Sequence, residues 1–475
     1  MSFTVNIKNS GKTYPIELLP SETGLVFKQK IQEATRIPIE RQKVLLKSGQ
    51  LKDDVLVETL NLKPHQTIMV IGSPELNLPA APVEKPVFLE DLNSEALSAY
   101  STDPIGLENL GNTCYLNSTI QALHSIPTLR KSLEASDKVG EIGSNEHLVL
   151  QLKRVFKELE DKKSDVIVPS SLISSLRYKY PQFGERDDHG RPKQQDAEEV
   201  FTQLLLSLKS VLGDDFIQNF TVRFKSLIKN QEDETDVQEK FDEDLKLQCH
   251  ITGQTNFMKN GIIESLNENI EKHSDNLNKD CVYEINKKIT KLPTILTVQF
   301  VRFYWKRATN KKSKIMRKVQ FPFQLDVADL LEESYRDGKI KVRDDLRSIE
   351  KEQENESREF KKQKKNMLAK EEDEFEEKQY KKYLEQFKTK FPEGLEQGEN
   401  PSSLYTLNAV ITHQGSSADS GHYQAFVKDK YNNDKWWKFN DDKVSIVDKD
   451  KIESLAGGGE SDSALILIYK AFGTD

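Results

Sequence analysis

Four prolines, at positions 74, 79, 82 and 86, punctuate a stretch from Ser73 to about Thr102 that is otherwise rich in Ala, Glu and Ser. Proline fixes φ and donates no backbone hydrogen bond, so neither a helix nor a central strand continues through such a segment. The chain is therefore expected to fold as residues 1–72, a linker at 73–103 and a larger unit at 104–475.

In the first unit Phe3, Val5 and Ile7 alternate with polar residues, Ser10-Gly-Lys12 supplies a turn, and Tyr14, Ile16 and Leu18 alternate again. That pattern predicts a hairpin. A helix carrying Val26, Ile31 and Ala34 follows, with Pro38 just beyond its end, and 43–47 and 67–71 supply later strands. The stretch resembles ubiquitin in Gly11-Lys-Thr13, in Ile37-Pro38 after the helix, and in the run Arg41 to Leu51. The resemblance implies a β-grasp domain. It breaks off at Gly72-Ser-Pro-Glu, where ubiquitin has its diglycine tail, so this domain is expected to bind partners rather than be conjugated. Leu45 and Ile71 fall where ubiquitin has two residues of its apolar binding patch, and Asn9 replaces the third. An exposed apolar pair suits partner docking.

Acidic residues outnumber basic ones, 77 to 69, for a formal charge of -8, which argues against a nucleic-acid binder. The opening residues alternate polar and apolar and do not read as a signal peptide, and no apolar run approaches the roughly 20 residues of a membrane span. Three cysteines, Cys114, Cys249 and Cys281, are too few for a disulfide framework in a chain of 475 residues. A reducing compartment, cytoplasmic or nuclear, is expected. Residues 335–400 are dominated by Lys, Arg, Glu and Asp with no sustained apolar stripe. They read as a solvated helix or a disordered insertion, ahead of a partner-binding coiled coil, because heptads are not sustained.

The chemistry gathers around Cys114. Leu116, Ile120 and Leu123 recur at helical spacing, so a helix starts near Cys114, with Asn112 and Thr113 available to cap it. A sulfur at a helix N-terminus meets free N–H groups and the positive end of the macrodipole. Asn109, five residues earlier, is suited to donate to the oxyanion of a tetrahedral intermediate. A cysteine nucleophile needs a base, and the base an orienting group, both far off in sequence. Residues 404–412 read as a strand, 414–421 as a loop and His422 as the start of the return strand. The strand after that ends in Asn440-Asp441, giving a Cys–His–Asn/Asp trio. Side-chain alternation predicts that Asn440 and Asp441 point to opposite faces, so only one of them is expected to orient His422; the resemblance set out below implies Asn440.

Gly106 to Leu123, Gln194 to Phe201, Ser420 to Tyr423, Trp437 to Lys443 and Gly457 to Tyr469 resemble the ordered signature blocks of the ubiquitin-specific protease family. A ubiquitin-like domain joined by a linker to such a unit is similar to the proteasome-associated branch of that family. The resemblance implies an α+β protein whose papain-like catalytic domain has fingers, palm and thumb. It implies a deubiquitinating cysteine protease, Cys114 as nucleophile and His422 as base, that hydrolyses the bond after the last glycine of ubiquitin on proteasome-bound conjugates. Asn109 falls on the oxyanion donor and Asp196 on the acid that meets the basic ubiquitin tail, with Gln195 and Tyr423 beside the substrate. The ubiquitin-like domain would dock on the proteasome regulatory particle. The alternative is a regulator that binds ubiquitin or the proteasome without cutting. No cofactor is needed. Cys249 and Cys281 lack the Cys-x-x-Cys pairs of zinc-bearing relatives, so no metal is expected. The basic run 306–314 reads as a solvated loop, and the resemblance implies that this loop, with 415–420, overlies the channel for the ubiquitin tail. His413 reads as a satisfied histidine at a strand end.

Overall fold

A computed structural model describes residues 2–47, 49–72, 103–306, 311–363, 369–417, 420–432, 434–459 and 462–474. The expected linker lies outside the described residues except for Asp103. Two compact units divide the chain between Leu92 and Asn93.

The first unit is a five-stranded sheet in the order Lys12–Leu18, Phe3–Asn9, Thr67–Ile71, Lys43–Leu46, Gly49–Gln50, with the first and last long strands parallel at its centre. Helix Gly24–Thr35 packs across it, capped by the Thr23 hydroxyl, to give the β-grasp arrangement. Its core-facing stripe is Phe27, Ile31 and Thr35, spaced by four. Val26 lies half-buried beside that stripe and Ala34 is exposed, because both sit one position off it.

The second unit has three parts. Helices Cys114–His124, Pro127–Ala135, Asn145–Asp161, Ser170–Lys179 and Ala197–Leu212 make the first. An eight-stranded sheet is the second, ordered Leu247–His250, Ile295–Val301, Ser463–Ala471, Leu404–Ser417, Ser420–Lys428, Trp436–Asn440, Lys443–Val447, with Gln324–Asp326 paired to the start of Leu404–Ser417. The third is an antiparallel sheet of four strands, 222–230, 237–244, 267–274 and 279–291. Helices and sheets in separate layers are the α+β architecture the sequence predicts. Strand Ser463–Ala471 is a continuous apolar run because it is buried on both faces. Ile466 and Ile468 face the helices, whereas Leu467 and Tyr469 face a second core on the opposite side.

The charged insertion is helical, which agrees with one of the two expected readings, but it departs from both in carrying a packed core. Helices Glu333–Gln363 and Ala369–Lys388 run antiparallel, tied by Lys382 to Glu356 at 2.7 Å and by the stacked rings of Phe360 and Phe375. Val342, Leu346, Ile349, Tyr383 and Phe387 form a small core of their own, closed by Phe391 and Phe472. The stripe escapes a sequence reading because each helix supplies only two or three of its members. Two expected loops are largely paired strand. Leu404–Ser417 and Ser420–Lys428 extend through most of 414–421, and Phe303–Lys306 pairs with Lys311–Lys314. Residues 307–310 and 418–419 lie outside the described ones.

Candidate active site

Cys114 opens helix Cys114–His124 and is 2% exposed. The turn before it is closed by the Asn109 side chain, whose Oδ1 accepts from the N–H groups of Gly111 (3.0 Å) and Thr113 (3.2 Å). This corrects the expected capping by Asn112 or Thr113. The Thr113 hydroxyl is taken by the Leu110 N–H at 2.9 Å, and the Asn112 amide donates to the Pro192 carbonyl at 2.8 Å. Asn109 Nδ2 donates to Asp441 Oδ2 at 2.9 Å. Its second amide hydrogen is left for another acceptor, on a residue that is exposed.

His422 lies two residues into strand Ser420–Lys428. The chain reaches it through Gly421, at φ +117, where a Cβ would lie 2.1 Å from the Gln414 carbonyl oxygen. His422 Nε2 meets Asn440 Oδ1 at 2.6 Å, which leaves Nδ1 for the Cys114 sulfur to which the ring is also hydrogen bonded. The bond to Cys114 raises the His422 pKa to about 9; burial opposes the shift, while Asn440 and the charges of Cys114 and Asp441 add to it. The imidazole is therefore protonated at neutral pH, with its charge against the sulfur.

Asp441 does not continue the alternation expected of a strand. Trp436–Asn440 ends one residue earlier, and Asp441 turns left-handed at φ +53. Its carboxylate stays 3.9 Å from His422 Nε2 and accepts from Asn109 and from Asn117 Nδ2, both at 2.9 Å. Its carbonyl accepts from the Leu107 N–H at 2.9 Å, so one residue ties the sheet to the loop before Cys114.

The remaining expected residues are distributed unevenly. The Tyr423 N–H points at Cys114 Sγ from 3.5 Å, but its ring is buried beside His413, at 4.7 Å. Asp196 caps helix Ala197–Leu212, accepting from the Glu198 N–H at 3.0 Å, and stays partly exposed, as does Gln195. Gln194 was not among the expected site residues, yet it is buried and its Nε2 donates to Cys114 Sγ at 3.2 Å. It precedes the helix in a loop, where no periodicity tells which of two adjacent glutamines faces inward. His413 lies inside a paired strand rather than at its end, fully buried, with Nε2 against the Ser420 carbonyl at 3.1 Å. Burial, helped by Lys314, lowers its pKa to about 4, so it is neutral. Lys314 is also buried, not part of a solvated loop, and donates to the His413 carbonyl.

In the first unit Leu45 pairs with Met69 across the sheet, and Leu45, Met69 and Ile71 are all exposed on one face. Asn9 is buried instead, its amide bonded to the carbonyls of Val70 and Gly72 at 2.9 and 3.2 Å. Cys249 and Cys281 are buried in different sheets, and the described residues contain no group of three or more His, Cys, Asp or Glu arranged to hold a metal.

Comparison with known proteins gives two matches to families. The family described as ubiquitin carboxyl-terminal hydrolase matches residues 105–469, and the ubiquitin family matches residues 5–75. Ubiquitin carboxyl-terminal hydrolase 6 of Schizosaccharomyces pombe is 42% identical, over 99% of this chain and 99% of that protein. Ubiquitin carboxyl-terminal hydrolase 7 of Arabidopsis thaliana is 36% identical over 98% of each. Ubiquitin carboxyl-terminal hydrolase 14 of Caenorhabditis elegans is 31% identical over 98% of this chain and 93% of that protein.

Proposed function

The chain belongs to the ubiquitin carboxyl-terminal hydrolase family and is a cysteine-type ubiquitinyl hydrolase, and on that premise we propose that Cys114 is its nucleophile and His422 its base. Asn440 orients His422, and Asn109 donates to the oxyanion. The observation that carries this reading is a single chain of bonds: sulfur to imidazole, and imidazole Nε2 to Asn440 at 2.6 Å.

Cys114 Sγ attacks the carbonyl carbon of the last glycine of ubiquitin, and the second hydrogen of Asn109 Nδ2 faces the oxygen that becomes negative. His422 gives its proton to the departing lysine amine as the carbon–nitrogen bond breaks, leaving a thioester. It then takes a proton from water, which attacks the thioester and frees ubiquitin and Cys114. Asp196 meets the basic tail of ubiquitin, and Gln195 and Tyr423 flank the route to the sulfur.

The substrates are conjugates held on the proteasome, in cytoplasm and nucleus. Leu45, Met69 and Ile71 form the apolar face with which the ubiquitin-like domain docks on the regulatory particle; their joint exposure supports that role. The nucleophile is tested with ubiquitin carrying a C-terminal electrophile, followed by mass mapping. We expect the adduct on Cys114, and Cys114→Ala to bind ubiquitin without hydrolysing it. An adduct elsewhere, or residual turnover well above background, would overturn the assignment.

A further inference from the structure

Cys114 Sγ has more polar company than a nucleophile and its base require. Besides His422 and the backbone N–H of Tyr423, it receives the side-chain amide of Gln194 at 3.2 Å. Gln194 is 8% exposed, so placing a primary amide there carries a desolvation penalty unless its polar atoms find partners. Its Oε1 finds none, which leaves the contact with sulfur as the polar return for burying the group. The N–H edge faces the sulfur at 3.2 Å, and the sulfur beside the protonated His422 ring is an acceptor for it.

The loop bearing Gln194 is itself fastened to the nucleophile's loop. Asn112 Nδ2 holds the Pro192 carbonyl at 2.8 Å, and Asp196, two residues after Gln194, caps the helix that begins at Ala197. A side chain fixed at both ends of its loop and aimed at the sulfur is pre-organised to hold it.

We propose that Gln194 is a positioning residue which acts on the nucleophile before substrate arrives, its amide N–H holding Cys114 Sγ in place as the anion. The proposal rests on Cys114 being the nucleophile. It assigns Gln194 a task separate from that of Gln195, which is only partly buried and flanks the substrate.

The test uses the full-length chain and iodoacetamide, a probe small enough to need no ubiquitin-binding surface. Alkylation of Cys114 is followed by mass across pH in the wild type and in Gln194→Met, Gln194→Glu and Gln194→Ala. Met fills the space without donating. Glu keeps the shape but presents only acceptors. We expect Met and Glu both to slow alkylation about tenfold at pH 7 and to move the acid limb of the rate profile up by about one pH unit. kcat for a ubiquitin ester should fall in step, with KM within about threefold and the melting temperature near wild type. Wild-type profiles for Met and Glu would overturn the proposal, whether Ala is impaired through packing or not. So would an effect confined to KM, which is what a purely substrate-binding glutamine gives. If wild-type Cys114 resists alkylation at every pH while hydrolysis continues, the nucleophile assignment itself fails, and that failure is recognisable as a different one.

Discussion

Two acceptors stand near one nitrogen of His422: the Asn440 amide oxygen at 2.6 Å and the Asp441 carboxylate at 3.9 Å. On the proposed assignment the nearer orients the ring, and the farther adds charge across a gap. Because the folded His422 pKa is raised from 6.5 to about 9, the pairing contributes fully below pH 6.5 and is lost as pH rises through 9. We expect kcat/KM to decline above about pH 9 for the same reason. Asn440→Ala should lower kcat about tenfold, leave KM nearly unchanged and move that basic limb to lower pH. Asp441→Ala frees Asn109 and Asn117 together, so it should lower the plateau while leaving the limb near its place. A pH–rate series on both variants checks this, and the reverse pattern would give the orienting role to Asp441. That Cys114, His422 and Asn440 come together was legible because each sits in a contiguous block whose pattern names its position. The ties made by Asp441 were not, since a left-handed φ turns its side chain away from where alternation puts it.

The helix at Cys114 could be read from Leu116, Ile120 and Leu123 because all three face one core. The insertion could not, because its core is assembled from two helices and Phe472, a residue more than 80 positions downstream of Phe387 in sequence. Tertiary pairing of sparse apolar residues, rather than a stripe on either helix, makes it fold. Leu346 is fully buried in that cluster, and Leu346→Ala should cost the insertion about 2–5 kcal/mol. None of the residues around Cys114 belongs to the cluster. We therefore expect faster tryptic cleavage within 369–388 and hydrolysis of a ubiquitin ester within about twofold of wild type. Parallel loss of both would mean that the insertion and the catalytic sheet unfold as one.

Across the whole molecule, the apolar residues fall into separate cores: one in the ubiquitin-like domain, and others in the catalytic unit. The prolines at 74–86 announce that division in the sequence, where they read as a linker. Deleting residues 1–72 should abolish capture by proteasomes and leave hydrolysis of a small ubiquitin ester within about twofold. A pull-down and an ester assay on the truncated chain check it, and undiminished capture would remove the docking role. The order of strands carries one more consequence. Ser463–Ala471 lies between Ile295–Val301 and Leu404–Ser417, so the sheet cannot close while residues 463–471 are still to be translated. A nascent chain that already contains Cys114, His422 and Asn440 holds every reactive group around a missing middle strand. We therefore expect a chain ended before Ser463 to leave a ubiquitin ester uncut although it carries all three side chains, because the strands on either side of the gap have lost their common partner.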